Sequence, residues 1–213
     1  RDSGMTMPLI VKSDGSKFGK TEAGTIWLDA AKTSPYSFYQ FWLNVADADV
    51  YRFLRYFTFL PIEEIDAVQA RDSGSQGRPE AQALLAAEVT RLVHGEPGLL
   101  AAVRISEVLF SGDASGLAEA DFEQLQQDGL PTSILDRSAE APLTQLFVDW
   151  GLVKSGREVK DALSRNSVFI NGIAKSAADN MLGADNFSPA DAHYGRYFLV
   201  RLGKKKYHLL RYD

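Results

Sequence analysis

Asp14-Gly15-Ser16-Lys17-Phe18-Gly19-Lys20-Thr21 places two lysines on a glycine-supported turn, and the fold is decided by the segments on either side of it. Glycines let a backbone approach an anion closely, and lysine ammonium groups are mobile point charges, so the pattern suits phosphate oxygens. Alone, the stretch also reads as an exposed basic hairpin, because glycine and lysine are ordinary turn residues. A third reading is the nucleotide-binding loop G-x-x-x-x-G-K-[ST], whose end matches Gly15 to Thr21. Here that loop is one residue short, Asp14 stands where its first glycine belongs, and Gly24 and Thr25 fall where a phosphate-capping helix should run. Met7-Pro8-Leu9-Ile10-Val11 reads as a strand entering the loop, and Gly24-Thr25-Ile26-Trp27-Leu28 as an apolar, β-branched segment leaving it.

The 213 residues, 45% hydrophobic and 11% aromatic, suffice for the cores of one or two domains. No apolar run reaches the roughly 18 residues of a spanning helix, and the N-terminus lacks the basic-then-apolar pattern of a secretory signal. Without cysteine there is neither a disulfide framework nor a thiolate metal site, and His94, His193 and His208 are too scattered for a zinc cluster. A cytoplasmic location without a membrane partner is expected. Because Arg1 is followed within ten residues by the strand and the loop, the sequence reads as part of something longer. Arg-Asp-Ser-Gly recurs at Arg1–Gly4 and Arg71–Gly74, too short for a structural repeat.

The net charge of -5 hides an asymmetry: residues 1–150 carry 12 Lys+Arg against 22 Asp+Glu, residues 151–213 carry 11 against 6. An acidic body with a basic end points to a polyanionic partner for that end, nucleic acid being the usual one.

From Ser34 the pattern turns helical. Thr33 or Ser34 can cap, Pro35 suits the first helical position, and Phe38, Phe41, Trp42 and Val45 recur at helix spacing. Asp47 or Asp49 can cap a second helix burying Val50, Phe53, Leu54 and Phe57. A short turn from Pro61 to Val68 precedes a loop around Arg71–Gly77; Pro79 opens a longer helix ended by Gly95, with His94 in a structural place in its last turn. Another helix runs from Pro97 to Gly112, and a polar one from Ser115 to Gly129. The organisation expected is an N-terminal segment carrying the lysine loop at 1–32, an all-α domain at 33–129, a linker at 130–141 and an α+β module at 142–213. That module opens with a helix from Pro142 to Trp150. Ser155-Gly156-Arg157-Glu158 reads as a capping box starting a second helix to about Arg165. Asn171-Gly172 turns a hairpin, and Gly203-Lys204-Lys205-Lys206 joins Tyr197–Leu202 to Tyr207–Tyr212. Lys154, Arg157, Lys160, Arg165, Lys204, Lys205 and Lys206 are the candidate RNA-binding residues, matched to a phosphate backbone.

Lys17-Phe18-Gly19-Lys20-Thr21 resembles the KMSKS signature loop of class I aminoacyl-tRNA synthetases in the variant used by bacterial tyrosyl enzymes. Ser34 to Trp42 and Asp47-Ala48-Asp49-Val50 resemble the junction into their helical anticodon-arm domain. Ser155 to Glu158 and Val168 to Gly172 resemble their closing module, an RNA-binding fold shared with ribosomal protein S-four. The resemblance implies a multi-domain chain: a remnant of an α/β catalytic domain, the helical domain, and the small α+β domain.

It further implies that the loop closes over ATP, the substrate with magnesium, as tyrosine is activated. Lys17 and Lys20 would stabilise charge on the leaving pyrophosphate, with Gly19 and Thr21 also at the nucleotide. Phe18 and Gly19 depart from the generic Met and Ser. The tyrosine pocket, the HIGH motif, the nucleotide-binding domain and the homodimer surface would precede Arg1. The chain alone is therefore expected to bind no cofactor tightly, to form no tyrosyl-adenylate and to keep a mobile loop. The expected partner is tRNA(Tyr), not DNA, with the basic end on the long variable arm. The alternatives are a non-catalytic RNA-binding adaptor built from the same modules, and the P-loop NTPase.

Overall fold

The computed structural model describes residues 11–21, 24–136, 140–181 and 183–213. The chain divides between Ala102 and Val103 into two compact units. The expected strand residues Met7 to Ile10 lie outside the described residues.

In the first unit the loop leads into a minimal ribbon, β1 (Lys20–Thr21) antiparallel to β2 (Gly24–Thr25). The apolar segment expected to continue to Leu28 is strand only at Gly24–Thr25. Among the described residues no helix comes after the loop until α1 (Pro35–Leu43), and Gly24–Thr25, where a phosphate-capping helix should run, are strand, which removes the P-loop reading. Ser34 caps α1 as expected, its hydroxyl accepting from the Ser37 amide at 3.0 Å ahead of Pro35. α2 (Asp47–Phe57) starts where expected but is preceded by Ala46, with no side-chain cap; the Asp49 carboxylate is engaged elsewhere.

α3 (Ile62–Gly74) runs well beyond the short turn expected. The reason is tertiary: Asp72 accepts from the Tyr51 hydroxyl at 2.6 Å and from the Glu80 amide at 2.7 Å, fastening a last turn whose composition reads as loop. α4 (Ala81–Ser111) is broken at Gly95, with φ 72° and ψ 176°, where the sequence placed a helix end, and Pro97 opens its second part. The turn is tight enough that a Cβ on Gly98 would fall 2.6 Å from that of His94. Phe38, Trp42, Val50, Phe53, Leu54, Ile65, Leu85 and Val89 form the core of this unit. On α2, Val50, Phe53 and Leu54 fall on one stripe, the spacing of a half-buried helix.

In the second unit a 3-10 turn at Ala114–Gly116 and then α5 (Glu119–Gln127) replace the single helix expected at 115–129. The break arises from competing caps. Asp113 holds the Ser115 amide, whereas Asp121 turns back to the Ala118 amide and takes a two-point contact from Arg104 at 2.8 and 3.1 Å.

The stretch 130–141, expected as linker, contributes strand β3 (Thr132–Ile134), parallel to β7 (Lys206–Arg211). Its pairing is to backbone far along the chain: Leu209 N–H donates to Pro131 C=O and Leu135 N–H to Arg211 C=O, both at 2.8 Å. Such partners leave no mark on local composition. The five-stranded sheet has the order β3-β7-β6-β4-β5, with β4 (Val168–Ile170), β5 (Ile173–Lys175) and β6 (Tyr197–Leu202) antiparallel to their neighbours. Asn171 (φ 48°) and Gly172 (φ 78°) make the left-handed pair of a type I′ hairpin, as expected.

α6 (Leu143–Asp149) and α7 (Gly156–Ser164) cover one sheet face around Phe147, Val159, Leu163, Phe198 and Val200. On the other face Phe122 of α5 stacks on Tyr197, ring centroids 4.5 Å apart and planes within 4°. Ser155 stands at the start of α7 as expected, but its hydroxyl makes no cap. The capping box is replaced by a Glu158 carboxylate 3.9 Å from Lys206 Nζ, because the hairpin offers the glutamate a cation.

Candidate functional site

The lysine loop is shaped by its own backbone. Val11 and Lys17 form an antiparallel bridge, Lys12 N–H donates to Ser16 C=O and Gly15 N–H to Lys12 C=O, each at 2.9 Å. Gly15 and Gly19 both sit at φ 82°, the left-handed region where a Cβ is costly. Asp14 accepts from the Ser16 amide at 2.8 Å; hydrogen bonding to Ser16 lowers its pKa.

Phe18, at the centre of the stretch, turns inward. Its ring meets Phe41, Trp42, Phe53 and Phe57 at centroid distances of 5.7, 5.4, 5.0 and 5.1 Å. Lys17 and Lys20, on either side, are exposed, and among the described residues neither ammonium has an acidic partner. Gly19 C=O accepts from Ile26 N–H at 2.9 Å; the side chain of Thr21 lies outside the described residues. A cavity of about 770 Å³ opens beside the loop, lined among others by Lys12, Asp14, Tyr36, Asn44 and Asp49. Lys17 and Lys20 are not among the residues that line it, so what the loop itself offers is two exposed ammonium groups on a glycine-supported turn, suited to an anion with distributed charge.

Of the basic residues in the second unit, Lys154, Arg157, Lys160 and Arg165 are all exposed. Arg157 and Lys160 are one turn apart on α7. Arg165, at its C-terminal cap, lies roughly 12 Å along the helix from Arg157 and donates to Asp161 C=O at 3.3 Å. Lys204, Lys205 and Lys206 are exposed on the β6–β7 turn, and the Lys206–Glu158 contact brings that turn beside the start of α7.

Sequence reasoning missed Arg201. Its guanidinium lies 4.2 Å over the Phe169 ring, its cross-strand partner, and a Cβ on Gly112 would come within 3.0 Å of it. Arg201 Nε is buried without a hydrogen-bond partner, and no acidic group pairs with the side chain among the described residues. Strand alternation was the available signal, since it sets Arg201 on the same face as Phe169.

Burial lowers the pKa of all three histidines, that of His208 to about 4. Each is structural: His94 packs edge-on against Phe38 at 4.9 Å, His193 stacks with Phe122, and His208 Nε2 lies 2.8 Å from Ser133 Oγ. Among the described residues no three His, Asp or Glu side chains gather as metal ligands, and no helix is long and apolar enough to cross a membrane.

A family model described as tRNA synthetases class I (W and Y) matches residues 1–111, and a second, the tyrosine--tRNA ligase SYY-like C-terminal domain, matches residues 121–210. Tyrosine--tRNA ligases of Salmonella paratyphi B and Salmonella newport are 53% identical over 207 residues, 97% of this chain and 47% of theirs. The chain spans about half the length of these curated relatives. Among solved structures, a C-terminally truncated mitochondrial tyrosyl-tRNA synthetase of Aspergillus nidulans is 38% identical over 42% of this chain and 25% of its own, with a TM-score of 0.39. A solution structure of a tyrosyl-tRNA synthetase C-terminal domain is 30% identical over 49% of this chain and 99% of its own, with a TM-score of 0.35.

Proposed function

The chain belongs to the class I tRNA synthetases (W and Y), and on that premise we propose that it is the tRNA-facing half of a bacterial tyrosine--tRNA ligase, which activates tyrosine with ATP and transfers it to tRNA(Tyr). One observation carries the reading. Lys17 and Lys20 flank the docked Phe18, exposed and without acidic partners among the described residues, so their charge is free for a phosphate ligand.

In tyrosine activation the tyrosine carboxylate attacks the α-phosphorus of ATP, and the bond to the bridging oxygen breaks. Negative charge then grows on the departing pyrophosphate. Two ammonium groups brought to those oxygens lower the barrier because they are worth most where charge develops. Magnesium enters with ATP as substrate. Gly19 lets the backbone approach the nucleotide, and Thr21 supplies a hydroxyl.

The helical part, 33–129, meets the anticodon arm. The α+β part, 142–213, an S-four-like module, holds backbone phosphates of the long variable arm through Lys154, Arg157, Lys160, Arg165 and Lys204 to Lys206. RNA recognition of this kind rests on shape and phosphate contacts. The full-length ligase is a cytoplasmic homodimer whose dimer surface lies in its N-terminal half.

Alone, the 213 residues carry out no activation. The test is ATP–pyrophosphate exchange: background rates from this chain and tyrosine-dependent exchange from the full-length ligase are expected. Exchange by the chain alone removes the division of labour, and a full-length protein that fails to exchange removes the enzymatic reading.

A further inference from the structure

We infer that Asp49 and Arg52 are positioning residues for the lysine loop, gripping the segment that enters it at residues 11–13 so that α2 sets where the loop rests. The inference rests on the proposed function for what the loop does, and on geometry for how it is held.

The grip has two points. Ser13 N–H donates to both Asp49 carboxylate oxygens, at 2.9 and 3.0 Å, and Ser13 Oγ donates to Oδ2 at 3.0 Å. Arg52 Nη2 donates to Val11 C=O at 2.6 Å and to Asp49 Oδ1 at 3.0 Å. A main-chain donor and a main-chain acceptor two residues apart are thus held by one ion pair a helical turn long. Asp49 is buried, its side chain 3% exposed, whereas Val11 and Ser13 are surface residues. A desolvated carboxylate needs charge-assisted partners, and it finds them in the loop and in Arg52.

An aspartate at the third position of a helix ordinarily serves the helix, through its dipole and free amides. Asp49 makes no cap bond within α2. Its hydrogen bonds run to Ser13, 36 residues away, and to Arg52. From Ser13 the turn continues through Lys12 N–H to Ser16 C=O, so the restraint passes toward Lys17. Phe18, set among Phe41, Trp42, Phe53 and Phe57, is the second anchor. Lys17 lies between these two points, and Lys20 comes just after the second. The loop expected from sequence to be mobile without its pocket is tied to the helical unit at both points.

The grip would act by holding the lysines near a productive position, and small misplacements of such groups cost rate more than binding. Two measurements test this with Asp49→Asn, which keeps shape and one acceptor but loses the charge, and Arg52→Gln. In the 213-residue chain, amide hydrogen exchange over residues 12–20 should quicken about tenfold or more while that of α2 residues 53–57 stays unchanged. In the full-length ligase, kcat for tyrosine-dependent pyrophosphate exchange should fall about tenfold or more with the tyrosine KM unchanged, and Arg52→Lys should recover part of it. Unchanged exchange over 12–20, or equal quickening of loop and helix, overturns the inference in favour of a role in α2 alone; a loosened loop with full kcat overturns it too. A wild-type full-length protein without exchange activity defeats the proposed function, and the hydrogen-exchange arm then still decides whether the grip holds the loop.

Discussion

Phe18 lies stacked on Phe57, ring centroids 5.1 Å apart and planes 17° apart, so the residue between the two lysines is the one that joins the loop to the helical core. Phe18→Ala should destabilise the first unit by about 2 kcal/mol, because a half-buried ring and its aromatic contacts are lost together. Phe18→Met, a flexible side chain that favours aromatic surroundings, should cost less than about 1.5 kcal/mol. Urea unfolding of the two variants measures both, and equal losses would show that ring geometry is not what the pocket recognises.

How far the sequence could be read depends on which forces are local. The helix at Pro35–Leu43, the break at Gly95, the Asn171-Gly172 hairpin and the Gly203–Lys206 turn all rest on caps, positive φ or alternation, and were legible. Strand β3 was not, since Thr132–Ile134 is a strand only because β7, some 75 residues later, lies beside it. The last turn of α3 was hidden for the same reason, its Asp72 answering Tyr51 and Glu80. In the site, glycine and lysine spacing marked the turn on which Lys17 and Lys20 are exposed, but not the docking of Phe18 between them. Asp49 read as a helix cap because the pattern cannot show that Ser13 would reach it first. Arg201 escaped because charge alone does not reveal a missing partner.

His208 gives the second unit a pH dependence. Its folded pKa, about 4, lies below the roughly 6.5 of an unfolded histidine, because burial disfavours the charged ring. Above pH 6.5 both states are neutral there and the full stability is present. As pH falls from 6.5 toward 4 the unfolded chain takes up the proton first, so stability is lost, by about 3 kcal/mol in total. Unfolding free energies of wild type and His208→Gln between pH 7 and 4.5 should therefore converge; parallel curves would remove His208 as the source.

Arg104 and Asp121 form a two-point ion pair at 2.8 and 3.1 Å, with the Asp121 side chain 2% exposed and also accepting from the Ala118 amide. Asp121→Ala leaves a guanidinium and an amide without partners and should cost about 3 kcal/mol, whereas removing both charges with Arg104→Met and Asp121→Leu should cost less than that single change. A double-mutant cycle by chemical denaturation reads the difference.

The basic residues of the second unit should contribute unequally to RNA binding, in an order set by their existing partners. Each phosphate neutralised releases counterions, so under the proposed function affinity for tRNA(Tyr) should fall with salt, and each cation removed should lower the slope of log K against log salt by about one. Arg157→Gln with Lys160→Gln should lower it by about two, since both side chains are exposed on α7 without acidic partners among the described residues. Lys206→Gln should lower it by less than Lys204→Gln or Lys205→Gln, because Glu158 already lies 3.9 Å from Lys206 and must be displaced before a phosphate gains that charge. Arg201→Gln should behave like a full contact, since its guanidinium lies 4.2 Å over the Phe169 ring with no carboxylate to give up among the described residues. Filter-binding or fluorescence titrations across a salt series of roughly 50 to 200 mM order these variants. A slope unchanged by the α7 pair would mean that this helix face does not carry the phosphate contacts.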